Sequence, residues 1–130
     1  MGALTNSDAV PTLRVMPMPA DLNANGDVFG GWIMAQIDIA GASVAMKRAR
    51  GRVVTVAANS VEFKQPVSVG DMVSFHAMIV RSGRTSIEVR VEVYAERNPA
   101  EPVIVKVTNA VLTYVAVDER GQKRSLPPEV

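Results

Sequence analysis

The sequence predicts an α+β fold in which one long central helix is wrapped by an antiparallel β-sheet of about five strands. Apolar residues repeat at helical spacing from Trp32 to about Arg50, and after Gly51 the pattern changes to the two-residue period of strands. One helix cannot cover both faces of such a sheet. A sheet wrapped around a single buried helix, with its edges paired in an oligomer, is therefore the economical arrangement.

The first part of the chain predicts a strand, a loop and the helix. A short strand is expected over Thr12 to Met16, before two closely spaced prolines. Asp21 to Gly31 is dense in Asn, Asp and Gly, which is typical of a loop with special backbone angles. The helix begins at Trp32, carries Lys and Arg in its last turn, and is expected to stop at Gly51.

The second part predicts four long strands. They are expected over Val53 to Phe63, Val73 to Ile79, Ile87 to Tyr94 and Val103 to Val117. The third of them alternates apolar and polar residues almost without a break, which indicates one buried and one wet face in an antiparallel sheet. The hot-dog fold has this order of elements, although the pattern alone leaves a generic α+β roll equally open.

Length and charge restrict the possible functions. The 130 residues suffice for one domain, expected over 12–118 between a flexible N-terminus (1–11) and a C-terminal tail (119–130). The 14 basic and 13 acidic residues are nearly balanced, which argues against a nucleic-acid partner. Without cysteine and with a single histidine, a zinc site is hard to assemble. No secretory signal or membrane-spanning run is found, so a cytoplasmic protein without membrane contact is expected.

Asp38 is the most informative residue of the sequence. It is the only ionisable side chain between Gly31 and Met46, on an otherwise apolar helix. Burying a lone carboxylate is costly unless it is paired, hydrogen-bonded or protonated. Small residues three, four and seven positions further on (Gly41, Ala42 and Ala45) suggest a slot beside it. A functional carboxylate and a solvent-facing one are about equally consistent with this pattern.

Gly30 and Gly31 supply a second candidate feature. They place backbone N–H groups at the positive end of the helix dipole, where an oxyanion can be held and a substrate can approach closely. A double glycine before a helix is more often a plain turn, but together with Asp38 it suggests a carbonyl-activating site. His76, in a strand opposite to its apolar neighbours, is expected at the surface or at an interface.

Several segments resemble one family closely. They are MPADLNANGDVFGGWIMAQIDIAGA (Met18 to Ala42), GRVVTV (Gly51 to Val56), PVSVGD (Pro66 to Asp71), GRTSIEVRVEVY (Gly83 to Tyr94) and TYVAVDERGQKRSLP (Thr113 to Pro127). This set is similar to the bacterial hot-dog acyl-CoA thioesterases of the YciA group, and the likeness extends over nearly the whole chain after about residue 12.

The resemblance implies a hydrolase that cleaves acyl-CoA to a free acid and CoA. It places the catalytic acid on Asp38, as general base or nucleophile, with Asn23 orienting water or the acyl group and the Gly31 amide binding the oxyanion. Asn23 and Asp38 of one site would come from different protomers. The implied assembly is a dimer that joins into a trimer of dimers or a tetramer. No metal or organic cofactor is implied, since CoA belongs to the substrate.

Further residues are expected to bind the substrate and its CoA moiety. They are Gly30, Asn59, Lys64, Arg84, Thr85 and Ser86. Family members often carry an acidic residue where this chain has Asn59, and a basic residue where it has Gln65 directly before Pro66. Both differences lie near the expected CoA groove, where Lys64 stands one position earlier than the usual cation.

Two other functions are compatible with the same fold. A non-catalytic acyl-CoA-binding domain is one, and the presence of both Asp38 and Asn23 argues against it. A hot-dog hydratase or dehydratase is the other, but such enzymes usually use a histidine on or near the central helix. Here the helix has no histidine, and His76 lies in a later strand.

Overall fold

The computed structural model describes residues 9–129 and shows one long helix packed on a five-stranded antiparallel sheet. The elements in chain order are β1 (Leu13–Val15), a 3-10 turn (Pro19–Asp21), α1 (Gly30–Ala49), β2 (Val53–Phe63), β3 (Met72–Ser82), β4 (Ser86–Arg97) and β5 (Val103–Ala116). The strands stand in the order β1-β3-β4-β5-β2, so β1 and β2 are the edges. The predicted α+β arrangement, with its single helix and four long strands, is confirmed.

The core lies between α1 and the inner face of the sheet. Ile33, Ile37 and Ala40 form the buried face of the helix. Against them pack the alternate residues of β4, all fully buried: Ile87, Val89, Val91, Val93 and Ala95. Burying one large aliphatic side chain contributes roughly 1.5–3 kcal/mol, so this interface holds the helix firmly on the sheet. The backbone from which α1 presents Asp38 therefore has a fixed position on the sheet.

The two ends of α1 differ from the sequence expectation in detail. The helix begins at Gly30, two residues before the predicted start, and Phe29 at its N-cap gives no side-chain hydrogen bond. At the other end the left-handed residue is Arg50, with φ 53°, rather than Gly51. The Arg50 N–H closes the helix by donating to the Met46 carbonyl. The predicted stop at Gly51 was therefore one residue late.

Strand β2 is an exposed edge. It pairs with β5 on one side, with register shifts after Thr55 and after Asn59, and Ser60 has a positive φ of 55°. Val54 and Val56 are 41% and 55% exposed, although both are strand-forming apolar residues. A long edge strand with exposed apolar side chains favours pairing with another chain.

The C-terminal tail packs on the domain: Arg124 donates to the carbonyls of Val117 and Ala49, and the Leu126 N–H donates to the Arg84 carbonyl. Of the N-terminus expected to be flexible, residues 1–8 lie outside the described residues. The domain boundaries at 12 and 118 stay a prediction. Across residues 9–129, α1 lacks the apolar length that a bilayer crossing requires.

Candidate active site

Asp38 is half-buried in the middle of α1 and receives two hydroxyl groups on the same oxygen. The Thr55 hydroxyl donates to Oδ1 over 2.8 Å, and the Tyr114 hydroxyl lies 3.0 Å from that atom. Oδ2 has no hydrogen-bond partner in the described part of the chain. The carboxylate is thus held through one oxygen and presents the other, which is the arrangement that a general base or nucleophile requires.

The two hydroxyl groups meet because of the β2–β5 register. Thr55 and Tyr114 are directly opposite each other in that pair, so their side chains share the face turned towards α1. The register shift between Thr55 and Ala57 follows at once. Bulges of this kind often occur beside active sites, where they re-aim a side chain. The edge strand therefore brings Thr55 to Asp38, while the more central β5 brings Tyr114.

Tyr114 fills the space that the sequence suggested as a slot. Its side chain is fully buried, and a Cβ on Gly41 would come within 2.3 Å of its hydroxyl oxygen. Burial, with the hydrogen bond and charge of Asp38, raises the pKa of the Tyr114 hydroxyl far above its ordinary range. The hydroxyl therefore stays protonated as a donor. The slot beside Asp38 exists at Gly41, but a side chain of the same chain occupies it.

The start of α1 presents unoccupied amide groups. The Gly30 and Gly31 N–H groups have no hydrogen-bond partner among residues 9–129, and Phe29 does not cap them. The space over Gly31 is open, since an added Cβ would meet no described atom within 4 Å. Such amides, at the positive end of the helix dipole, suit a developing oxyanion.

A surface pocket of about 290 Å³ adjoins these amides. Asn23, Gly30, Lys64 and Gln65 all line it, with Phe63 in contact above Gly30. The structure thus brings together three of the predicted residues at one end of the helix. Lys64 and Gln65 lie in the same wall of the pocket. Lys64 therefore still lines the pocket, although it stands one position earlier than the usual cation of the family.

Asn23 also has a structural role in its loop. Its side-chain oxygen accepts hydrogen bonds from the Asn25 and Asp27 N–H groups, over 2.9 and 3.1 Å. This is the turn geometry typical of asparagine. It fixes the side chain and leaves the amide nitrogen as the group that can contact a bound molecule.

Asp38 does not line this pocket. Asp38 lies seven positions after Gly31, which corresponds to about 10 Å along the helix axis. Within one chain the structure therefore holds the carboxylate apart from the amide end and from Asn23. The catalytic roles of Asp38, Gly31 and Asn23 stay predictions. The assembly of one site from two protomers stays a prediction as well.

The remaining predicted binding residues lie elsewhere. Arg84 and Thr85 are in the β3–β4 turn, beside the C-terminal tail that also packs on the end of α1, and Ser86 begins β4. Asn59 is exposed on β2 at the second register shift. One chain does not join these residues to the Lys64 pocket, so their role in CoA binding stays a prediction.

His76 was expected at the surface or at an interface. Within one chain it does not lie at the surface, and its place at an interface stays a prediction. The side chain is only 5% exposed, on the outer face of the sheet, with its ring edge-on to Tyr94 at 5.7 Å. Neither ring nitrogen has a hydrogen-bond partner in the described residues. Burial lowers the pKa of His76, although the Glu92 charge opposes this. Because it lies on the face away from α1, it cannot serve the catalytic histidine role of a hydratase.

Thr55 and Tyr114 are the two residues that sequence reasoning missed. Each has an ordinary place in an alternating strand, and neither stands in an unusual motif. Alternation puts Tyr114 on the helix side of β5, with Leu112 and Ala116. Only the strand register and the position of the helix reveal that it faces Asp38.

Comparisons with known proteins agree with this fold. Residues 25–101 match the model of the thioesterase superfamily. The chain is 49% identical to the acyl-CoA thioester hydrolase YciA of Escherichia coli K12, with 90% of each chain covered.

Two solved structures are also similar. One is the aspartate-to-alanine mutant of a hexameric broad-specificity acyl-coenzyme A thioesterase, with TM-score 0.89, 46% identity, and coverage of 94% of this chain and 89% of that one. The other is a hexameric hot-dog fold thioesterase of Campylobacter jejuni, with TM-score 0.86, 43% identity, and 90% of each chain covered. The chain therefore belongs to the thioesterase superfamily, as a hot-dog acyl-CoA thioesterase of the YciA group.

Proposed function

We propose that this chain hydrolyses acyl-CoA thioesters at a site completed by two protomers. The observation that carries the proposal is the Asp38 carboxylate, held at Oδ1 by two hydroxyls with Oδ2 available. The open Gly31 amide supplies the second requirement, a donor for the oxyanion. Its relatives in Escherichia coli and among the solved structures carry the same activity in their names.

In the proposed reaction, the Gly31 N–H of one protomer polarises the thioester carbonyl. Asp38 of the other protomer takes a proton from water, whose oxygen bonds to the carbonyl carbon. When the tetrahedral intermediate collapses, the C–S bond breaks and the CoA sulfur receives the proton from Asp38. The products are a free acid and CoA. Asn23, through its amide nitrogen, orients the water or the acyl group.

A nucleophilic role for Asp38 fits the same geometry. The carboxylate would attack the carbonyl carbon, expel CoA and form an anhydride that water then hydrolyses. Rapid acid quenching followed by mass spectrometry separates the two routes. An acyl group on the Asp38 peptide during turnover indicates the nucleophile, and a peptide without added mass throughout the first turnover indicates the base. In neither route does the proposal require a metal or an organic cofactor.

The assembly that we propose is a trimer of dimers. The similar thioesterases named above are hexameric. In this chain the exposed β2 edge, with Val54 and Val56, is suited to pairing with a second copy. Thr55 lies on that edge, so Asp38 is close to the surface through which a partner would approach. Light scattering should give six times the chain mass of 13.9 kDa, and a monomer at working concentration would refute the shared site.

Turnover of a panel of acyl-CoAs, from short to long chains, tests the proposed activity. We expect release of free thiol with an equal amount of acid from at least part of the panel. Binding without thiol release would instead favour the non-catalytic acyl-CoA-binding domain. Absence of both binding and release would overturn the proposal. The cytoplasmic location expected from the sequence stays a prediction.

A further inference from the structure

The Tyr114 hydroxyl has a position that packing alone does not require. It lies 3.0 Å from Oδ1 of Asp38 and 3.0 Å from the main-chain oxygen of the same residue. The tyrosine is fully buried, and burial with Asp38 keeps its hydroxyl protonated through a raised pKa. Thr55, the other donor, is on an exposed edge strand where its hydroxyl can also turn to water. Tyr114 thus keeps a buried hydroxyl within donating distance of the carboxylate, with the main-chain oxygen of Asp38 as its other acceptor.

Gly41 is a second observation that supports a specific placement of the Tyr114 hydroxyl beside Asp38. Glycine in a helix interior costs stability relative to alanine, and Gly41 is buried in the middle of α1. Any side chain there would collide with the Tyr114 hydroxyl, because the Cβ would come within 2.3 Å of its oxygen. By contrast, the Gly31 position has open space. The missing side chain at Gly41 therefore leaves the space through which the Tyr114 hydroxyl reaches Asp38.

We propose that Tyr114 is a positioning residue of the thioesterase reaction: its hydroxyl, admitted by Gly41, fixes Oδ1 of Asp38 and so directs Oδ2 to the reacting water or thioester. The inference rests on the proposed function and deepens it. With Oδ1 engaged by a buried donor, the carboxylate cannot rotate freely about its last side-chain bond. Its reactive oxygen then stays at one place, which lowers the entropic part of the barrier. Tyr114 itself does not contact the substrate, because it lies within the core.

The variant Tyr114→Phe removes the hydroxyl and retains the ring. We expect kcat to fall roughly 10-fold or more, in the range of lost positioning or general-base assistance, with KM nearly unchanged.

Tyr94→Phe is the matched control. Tyr94 also donates its hydroxyl to a carboxylate, that of Glu92 over 3.2 Å, but on the outer face of the sheet. The same chemical change there should leave kcat and KM as in the wild type. Equal losses in the two variants would show a general effect on folding and would overturn the inference.

A double variant separates positioning from structure. If Tyr114 acts through Asp38, Tyr114→Phe should lower the activity of the wild type but not the residual activity of Asp38→Asn. An additional loss in the double variant would contradict action through Asp38. A normal kcat in Tyr114→Phe, with only a lowered melting temperature, would show that the hydroxyl is structural.

Crystal structures of the wild type and Tyr114→Phe give a readout that needs no turnover. We expect the Asp38 carboxylate to rotate or to occupy two orientations in the variant, and an unchanged single orientation would overturn the inference. The proposed function fails separately, if wild-type protein releases no thiol from any acyl-CoA.

Discussion

Each face of the sheet has a carboxylate beside a tyrosine, half-buried on the inner face and buried on the outer one, and the partners of the two carboxylates differ. On the inner face, Asp38 receives the hydroxyls of Thr55 and Tyr114 on a single oxygen. On the outer face, Glu92 is 5% exposed and interacts with the Tyr94 hydroxyl and with two cations, Arg90 at 3.8 Å and Lys106 at 3.9 Å.

The difference lies in what balances the charge. Cations near Glu92 compensate the buried carboxylate, as in a structural ion pair. Neutral hydroxyl donors at Asp38 hold the carboxylate without neutralising it, so it remains available as a base. His76, beside Glu92, is buried with both nitrogens unpaired in the described chain. Burial of a polar group therefore does not by itself identify a catalytic site, whereas the pattern of its partners does.

The largest expected difference between the two faces is the loss of kcat when each carboxylate is changed to its amide. Asp38→Asn should reduce kcat by about two orders of magnitude or more, since it removes the base or nucleophile while keeping the shape. Glu92→Gln, the same change on the outer face, should retain turnover but lower the melting temperature, because Arg90 and Lys106 lose their counter-charge. Near-normal kcat in folded Asp38→Asn protein would remove Asp38 from the reaction.

The next largest effect is the difference in stability between alanine variants of two glycines of α1. Gly41→Ala should destabilise the fold by about 1–3 kcal/mol, the usual cost of overpacking, since Tyr114 must move. Gly31→Ala should leave the melting temperature unchanged or slightly higher, because its side chain enters open space and alanine favours helix. Thermal unfolding followed by circular dichroism measures both. Equal stability of the two variants would mean that Tyr114 has room to shift.

The smallest effect is the pH dependence of folding at His76. The pKa of His76 is lowered in the folded protein, so the unfolded chain binds more protons at mildly acidic pH. Its contribution to stability is present above the unfolded pKa of about 6.5 and is lost as pH falls through the lowered folded pKa. His76→Phe keeps a ring against Tyr94 and cannot titrate. Denaturant unfolding between pH 8 and pH 5 should show less acid loss in the variant, and identical curves would contradict burial of a neutral imidazole.

Much of this architecture was predictable because it rests on local patterns. The helix and the strands followed from periodicity, and β2 was predicted with its observed bounds. Asp38 was recognisable as the single charge on an apolar helix. Thr55 and Tyr114 were not, because their convergence depends on a register between strands far apart in sequence. The face that His76 occupies was predictable from alternation, but its burial within one chain was not, because alternation does not tell which neighbours cover a side chain.

The central claim is that Asn23 of one chain and Asp38 of another belong to one site, and co-expression of two differently tagged inactive variants tests it most directly. If they do, a dimer of one Asn23→Ala chain and one Asp38→Asn chain contains one intact site and one with both defects. Random pairing makes about half of the dimers mixed, so thiol release per chain should recover to about a quarter of the wild-type rate. Doubly tagged assemblies that form and remain as inactive as each variant alone would contradict the shared site.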